Sequence, residues 1–331
     1  MKVRRLNAKR QVLLLALFGV WLAVSSPLCA SSPILNLHFP NLNIFSKDPP
    51  NPETPDIDDR RTESPPAPAS PDPRPSDSAE AFPYREVIGR VVCLSDFPLD
   101  DVAAIRDEIQ NLQKDLIDYL GIPESKEKVV VCLFNRRETY TAFLQQNCPQ
   151  APSNRPALYI KDNGPGYVFL QRDEKLILNL RHEMTHAILN STHKNIPIWL
   201  DEGLAKYFET PAGLRGNENP FLEPVSNRAE SIFAPVPSLP TLERLKGVNE
   251  MGPTQYRNAW AWIHFLIHYS PRTQQILSRY LRSLETEKQA GIDPKQAAEI
   301  QKSAPLTALI KSEIPDYKKE YRTHFADWGK R

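Results

Sequence analysis

Apolar side chains recur three and four residues apart in several segments of the chain, which is the spacing of an amphipathic helix. The pattern predicts helices over residues 99–121, 136–147 and 172–190. Gly121 is expected to end the first of them, since glycine readily adopts the left-handed conformation that follows many helices. Asp173 and Glu174 are expected in the first turn of the third, where the helix dipole favours acidic groups.

Short apolar runs bounded by polar or turn residues predict the strands. They lie at residues 87–94, 128–134, 157–160 and 166–171, and the last two flank the turn sequence KDNGPG as a hairpin. Strands and helices alternate up to about residue 172, and helices dominate thereafter. The chain therefore predicts an α+β domain over residues 84–331, with a small mixed sheet and a helical C-terminal half.

The first 30 residues have the three parts of a signal peptide. Five basic side chains precede the apolar run VLLLALFGVWLAV, and small residues follow it up to Ala30. The run is shorter than the roughly 20 residues that a membrane span requires. We therefore predict cleavage near residue 30 and export of the chain to a periplasmic, extracytoplasmic or secreted location. The alternative is an uncleaved signal that anchors the chain in a membrane.

Residues 31–83 separate the signal segment from the predicted domain. From Asp48 onward this stretch is rich in proline, serine and acidic residues, and it contains almost no large apolar side chains. Such a composition buries too little apolar surface to offset the entropy lost on ordering. We predict an extended, disordered linker.

Charge and cysteine content exclude several classes of protein. The 41 basic and 40 acidic side chains nearly balance, and loss of residues 1–30 with their five basic groups would take the formal charge from +1 to −4. Nothing in this balance suggests a nucleic-acid partner. Cys93 and Cys132 lie in apolar, strand-like runs, and Cys148 is the third cysteine outside the signal segment. We expect Cys93 and Cys132 to be buried. The odd number of cysteines leaves at least one free thiol or an intermolecular pair, and no disulfide framework is visible.

The sequence RHEMTH in the third predicted helix contains the pattern H-E-x-x-H. His182 and His186 are one turn apart and project from the same helix face, so both imidazoles can reach one metal ion. Glu183 is rotated from them by about 100°, which lets it act on a water at that ion without binding the ion. The motif is short, and it also fits a solvent-exposed, charged helix face.

A carboxylate is available after the next loop. The sequence IPIWLDEGLAKYFET begins with a proline suited to the first turn of a helix, and it has one apolar side. A helix, a short loop and an antiparallel helix would bring Glu202 back across His182 and His186. Two histidines and one carboxylate, with the fourth position open, are a ligand set of catalytic zinc.

The sequences HEMTH and WLDEGLAKYFE together resemble the gluzincin peptidases, the clan of thermolysin and the zinc aminopeptidases. Glu202, Gly203 and Ala205 match the pattern W-L-x-E-G-x-A, in which the glutamate is the third ligand. Residues 84–210 are also similar to bacterial peptidase-MA-like domains, and the C-terminal helices match loosely. The chain departs from thermolysin in a shorter gap between His186 and Glu202. Lys206 stands where a carboxylate is expected, four residues past the third ligand.

The resemblance implies a zincin-like fold and metal-assisted hydrolysis of peptide bonds. His182, His186 and Glu202 would be the zinc ligands, and Glu183 would be the general base. The substrate would be a peptide or a protein. The metzincin class is excluded, because other residues occupy the positions of its glycine and its third histidine.

The resemblance also implies a tyrosine or histidine that stabilises the oxyanion together with zinc. The candidates are Tyr256, His264 and His268, and Tyr256 is preferred because it stands at the predicted start of a helix. The run GYVFLQ is expected to be an edge strand of the sheet that lines the substrate cleft and pairs with an extended peptide.

Three interpretations remain open. The first is an exported zinc metallopeptidase, which the intact set of His182, Glu183, His186 and Glu202 favours. The second is a gluzincin-like fold with weak or no activity that serves as a binding or scaffold module. The third is a solvated helix with an accidental H-E-x-x-H motif.

Overall fold

The computed structural model describes residues 81–161, 164–193, 195–231, 233–284 and 305–328. The predicted signal segment and nearly all of the predicted linker lie outside the described residues. Phe82, at the end of that linker, packs against the rings of Phe134 and Phe143. The folded region therefore begins no later than Phe82.

One mixed sheet is present in the described part of the chain. Its strands are β1 (Tyr84–Ile88), β2 (Val91–Ser95), β3 (Val129–Phe134), β4 (Ala157–Ile160) and β5 (Gly166–Gln171). They are ordered β1-β2-β3-β5-β4, with the three inner strands parallel and the two outer strands antiparallel to their neighbours. The single strand predicted over residues 87–94 is wrong. Gly89 has a φ of 58°, so the chain turns there and forms the β1–β2 hairpin.

Ten α-helices accompany the sheet in the described ranges. They are α1 (Ala103–Leu120), α2 (Arg137–Asn147), α3 (Leu176–Thr192), α4 (Ile198–Phe208), α5 (Leu222–Glu230), α6 (Leu239–Glu243), α7 (Pro253–His268), α8 (Pro271–Ser283), α9 (Leu306–Glu313) and α10 (Tyr317–Trp328). The predicted α+β class is confirmed. No helix in these ranges combines the length and the apolar character that a membrane span requires.

The sheet separates two hydrophobic clusters. Alternate side chains of β2, β3 and β5 enter the larger cluster with α1, α3, α4, α7 and the C-terminal helices. The other face packs with Tyr140 and Leu144 of α2. All six residues of β3 are buried, as expected for a parallel strand covered on both faces. The sheet thus supports α3, which packs on β5 and β4.

The three cysteines outside the signal segment are buried and free, and the predicted burial of Cys93 and Cys132 is confirmed. Burial raises the pKa of the Cys93 and Cys148 thiols to about 12. Cys93 belongs to the larger cluster, whereas Cys132 and Cys148 belong to the smaller one. The sheet therefore keeps thiols on both of its sides protonated and away from solvent.

Helix α3 begins four residues later than expected. Asp173 accepts a hydrogen bond from the backbone N–H of Lys175 at 2.8 Å through Oδ1, and the helix starts at Leu176. Short acidic side chains compete in this way with helical hydrogen bonding. Asp173 and Glu174 therefore lie in the turn before α3, and their placement in its first turn is wrong.

Gly203 lies where α4 approaches α7. A Cβ atom at this position would be 3.0 Å from Cγ1 of Ile263 and 3.2 Å from the carbonyl carbon of Ala259. A larger residue would require these neighbours to move by a few tenths of an ångström, and backbone atoms cannot rotate away as a flexible side chain can. The glycine after Glu202 thus sets the position of α7 relative to α4.

A buried arginine joins three helices. The side chain of Arg181, on α3, is 1% exposed and forms ion pairs with Glu108 and Asp115 of α1. Its Nε donates a hydrogen bond to the carbonyl oxygen of Phe208, the last residue of α4, at 2.9 Å. The guanidinium therefore links α3, which carries His182 and His186, and α4, which carries Glu202, to α1.

Candidate metal centre

The side chains of His182, His186 and Glu202 converge on one point. The Nε2 atoms of the two histidines are 3.3 Å apart. Oε2 of Glu202 lies 3.7 Å from Nε2 of His182 and 3.9 Å from Nε2 of His186. These three residues could hold a metal ion, and no other group of three such ligands occurs in the described part of the chain.

The site is enclosed by protein. His186 and Glu202 are 8% and 7% exposed, and His182 is half-buried. A solvated helix face would leave all three side chains in water, so the interpretation of the motif as an exposed charged face is wrong. Tyr159 of β4 covers one side, with its ring stacked on that of His186 at a centroid distance of 6.3 Å.

A carboxylate that sequence reasoning missed orients His182. Nδ1 of His182 lies 3.0 Å from Oε2 of Glu209, which also accepts from Nζ of Lys206 at 2.9 Å. With its proton on Nδ1, the ring presents the Nε2 lone pair to His186 and Glu202. Glu209 lies three residues after Lys206. Lys206 and Glu209 are four and seven residues after Glu202, so both lie on the same helix face as Glu202.

Asp201 lies behind the ring of His186, as Glu209 lies behind that of His182. Its Oδ1 lies 2.9 Å from Nδ1 of His186, although the two atoms are not aligned for a hydrogen bond. Its other oxygen accepts a hydrogen bond from Asn190 at 3.4 Å. Each histidine therefore has a carboxylate behind it and its Nε2 toward Glu202.

The site carries an excess of negative charge. Burial alone would lower the pKa of His186, but three carboxylates raise it to about 10, and Asp201 has the largest effect. Burial would likewise raise the pKa of Glu209, but Lys206 and His182 bring it below its usual value. A cation among these groups would offset the mutual repulsion of the carboxylates.

Glu183 lies beside the converging side chains without joining them. It is half-buried, and its carboxylate has no hydrogen-bond or ion-pair partner in the described ranges. Its charge raises the pKa of Tyr140 and of Tyr256, in both cases after the larger effect of burial. Glu183 is therefore an unpaired carboxylate close to the candidate ligands.

Tyr256 is the fourth residue of α7 and is half-buried. Burial raises the pKa of its phenol, and the charge of Glu202 raises it further. Arg155, in the loop before β4, acts in the opposite direction. Tyr256 thus lies within electrostatic reach of Glu202, and Arg155, which no motif in the sequence indicates, lies within reach of Tyr256.

The two alternatives to Tyr256, His264 and His268, belong to a separate cluster away from the candidate ligands. His264 contacts Nε2 of His324 at 2.9 Å and donates to the carbonyl oxygen of Gly216 at 3.2 Å. Nε2 of His268 lies 2.6 Å from the hydroxyl of Tyr207. Both histidines project from later turns of α7 into the core between α4 and α10.

The expected edge strand is also wrong. β5, the run GYVFLQ, pairs with both β3 and β4 and is an inner strand. The edge on this side is β4, which carries Tyr159. The sequence pattern that predicts strands does not predict their order across the sheet. It therefore does not distinguish β4 from β5 as the edge strand.

The histidine cluster leads to an expected pH dependence. Burial lowers the pKa of His264 well below its usual value and that of His268 to about 4. Below about pH 6.5 the unfolded chain binds protons that these folded side chains do not bind. We therefore expect the free energy of unfolding to decrease as the pH falls from about 6.5 to about 4.

Urea unfolding at a series of pH values, in the presence of a chelator, measures this dependence. The His268→Phe variant keeps an aromatic ring but cannot titrate, so its stability is expected to depend less on pH than that of the unaltered chain. Equal pH dependence in the two proteins would contradict the role of His268.

No protein-family model matches the chain, and no curated protein matches it significantly.

Proposed function

We propose that the chain is an exported zinc metallopeptidase with a zincin-like fold, which hydrolyses peptide bonds through a metal-activated water. The observation that carries the proposal is the convergence of His182, His186 and Glu202, with the unpaired carboxylate of Glu183 beside them. Export rests on the N-terminal sequence alone.

The distances between the ligand atoms suit zinc. Two nitrogens that bind zinc at about 2.0–2.1 Å with a tetrahedral angle are about 3.3–3.4 Å apart. The Nε2 atoms of His182 and His186 are 3.3 Å apart. Oε2 of Glu202 is 3.7 and 3.9 Å from them, and a shift of about half an ångström would bring it to tetrahedral spacing. Nitrogen and carboxylate ligands in this number leave a fourth position open.

The donor set favours the same metal. Zinc acts as a Lewis acid and lowers the pKa of a water molecule toward about 7. The carboxylates of Glu209 and Asp201 behind the two histidines are the outer partners that such imidazoles require. They orient the rings and make Nε2 a stronger electron-pair donor.

Glu183 is the proposed general base. Its carboxylate takes a proton from the attacking water and passes that proton to the nitrogen of the leaving amine. No side chain of the described ranges competes for this carboxylate, because Glu183 has no hydrogen-bond or ion-pair partner there.

Tyr256 is the proposed oxyanion donor. Its phenol keeps its proton at neutral pH, because burial and the neighbouring carboxylates raise its pKa. A protonated hydroxyl in an enclosed site can donate a hydrogen bond to the negatively charged oxygen that forms on the substrate carbonyl.

We expect Tyr256→Phe to lower kcat by about 10²–10³-fold while zinc content and KM change little, because the lost hydrogen bond forms only in the transition state. Steady-state kinetics on a cleaved peptide measure the effect. Tyr84→Phe, at an exposed position of β1, is the matched control. A kcat equal to that of the control would make Tyr256 a packing residue.

The edge strand β4 is the proposed site of substrate binding. An extended peptide can add to the free edge of a sheet through backbone hydrogen bonds. β4 is the edge next to the metal centre, since Tyr159 stacks on His186. A peptide paired with β4 would pass beside the candidate ligands.

Metal analysis and peptide cleavage test the function. We expect the purified chain to contain one zinc ion, to lose it in the Glu202→Gln variant, and to cleave members of a mixed peptide library detected by mass spectrometry. Glu218→Gln alters an exposed glutamate and is the matched control. Zinc without cleavage would favour the binding or scaffold module, whereas a protein that binds no zinc would overturn the proposal.

A further inference from the structure

Three arginines line one narrow cavity in the C-terminal half. They are Arg228 of α5, Arg257 of α7 and Arg322 of α10. The chain segment 234–237 and Tyr321 complete much of the wall, and no acidic residue of the described ranges lines it. Three like charges repel one another, and an anion among them would offset that repulsion.

Two of the arginines hold the neighbouring loop. Arg322 donates hydrogen bonds to the carbonyl oxygens of Ser231 and Ala234, the first at 2.8 Å. Arg228 donates to the carbonyl oxygen of Pro235 at 3.3 Å. These carbonyls carry only partial charges. Arg257 has no hydrogen-bond or ion-pair partner in the described ranges.

Tyr321 adds a second unsatisfied donor to the same cavity. It is 2% exposed, and its hydroxyl has no hydrogen-bond partner. The charges of Arg228 and Arg257 act on this phenol, since they oppose the increase in its pKa that burial causes. A buried hydroxyl without a partner is uncommon in folded proteins, and it indicates a missing acceptor.

We propose that this cavity binds a small oxyanion, a carboxylate or a phosphate group, through the guanidinium of Arg257 and the hydroxyl of Tyr321. One negatively charged oxygen accepts from both donors and offsets the charge of the three arginines. The interior has room for about one water-sized group. The ligand therefore places an oxygen inside, and the rest of it lies at the mouth.

The chemistry of the lining selects among ligands. A cation is repelled by the three arginines. A water molecule satisfies the hydroxyl of Tyr321 but leaves the positive charge uncompensated. A carboxylate or phosphate accepts the hydrogen bond of Tyr321 and also offsets the positive charge. The planar guanidinium group matches the spacing of the oxygens in either anion. The assignment does not depend on the metal centre or on peptide hydrolysis.

Thermal unfolding with inorganic phosphate tests the site. At constant ionic strength, held with sodium chloride, phosphate is expected to raise the Tm of the unaltered chain, because a ligand of the folded state stabilises it. Acetate in a parallel series tests the carboxylate. Arg257→Gln is expected to abolish the increase, and Tyr321→Phe to weaken binding by about tenfold or more.

Arg244→Gln is the matched control, because Arg244 is exposed on the same half of the chain and does not line the cavity, and its side chain donates a hydrogen bond to Thr241. It is expected to keep the increase in Tm. Phosphate binding at the metal centre would persist in Arg257→Gln. The proposal is overturned if neither anion raises Tm, or if the increase survives in both Arg257→Gln and Tyr321→Phe.

Vesicles identify the source of the group. Phe233 directly precedes the lining segment 234–237 and is 90% exposed, so an apolar side chain is available there for a lipid surface. Co-sedimentation with vesicles containing phosphatidylglycerol, but not with pure phosphatidylcholine, assigns a lipid headgroup when Arg257→Gln abolishes it. An increase in Tm with phosphate and no sedimentation assigns a soluble anion.

Discussion

Glu183→Gln is expected to lower the rate of peptide hydrolysis by about 10²–10⁴-fold and to leave zinc binding unchanged. An amide has nearly the shape of a carboxylate but cannot accept the proton of the attacking water. Glu183 is not one of the converging ligands, so the metal should remain. Turnover of a cleaved peptide and zinc content, measured on the same preparation, separate the two roles.

Glu174→Gln is the matched control for this prediction. Glu174 is exposed and precedes the same helix, so its change to an amide should alter neither turnover nor zinc content. A Glu183→Gln variant that turns over as fast as this control would remove Glu183 from the mechanism. Loss of zinc in Glu183→Gln would instead make Glu183 part of the metal site.

Arg181→Met is expected to reduce the free energy of unfolding by about 3–5 kcal/mol. The methionine fills much of the same space but leaves the carbonyl oxygen of Phe208 without its donor. It also leaves Glu108 and Asp115, which are 20% and 16% exposed, short of a positive partner. Asp115 retains Arg215, so the loss falls mainly on Glu108 and Phe208.

Urea unfolding with a chelator present measures this loss without a contribution from bound metal. Arg106→Met is the matched control. Arg106 lies on α1 and pairs with Glu86 of β1, but its side chain is 53% exposed. An exposed pair of this kind contributes about 0–1 kcal/mol. If both variants lose equally little, the buried ion pairs of Arg181 do not hold the helices together.

Local spacing was enough to predict the three converging side chains. His182 and His186 share a face because they are four residues apart on one helix, and Glu202 lies on the next helix after a short connection. Each step depends on residues close in sequence, where periodicity is informative. The α+β class follows from the same kind of pattern.

Two failures are local, since the turn at Gly89 and the hydrogen bond of Asp173 involve neighbouring residues. The others depend on contacts between distant segments. The order of strands across the sheet depends on which edges pair, and a hairpin such as β4–β5 has the same sequence signal whichever strand lies outside. Arg155 comes near Tyr256 only through the fold. Glu209 is different, because its spacing of seven residues from Glu202 was visible in the sequence.

The buried thiols make the opening of the sheet measurable. A thiol reacts as its thiolate, so an aromatic disulfide reagent can modify Cys93, Cys132 and Cys148 only when the surrounding structure separates. Cys93 reports on one side of the sheet, and the other two report on the opposite side. The ratio of their labelling rates therefore tells whether the two layers come apart together or one before the other. In an oxidising compartment, the extent of oxidation at Cys93 compared with that at Cys132 and Cys148 would depend on how often the layer around each thiol opens.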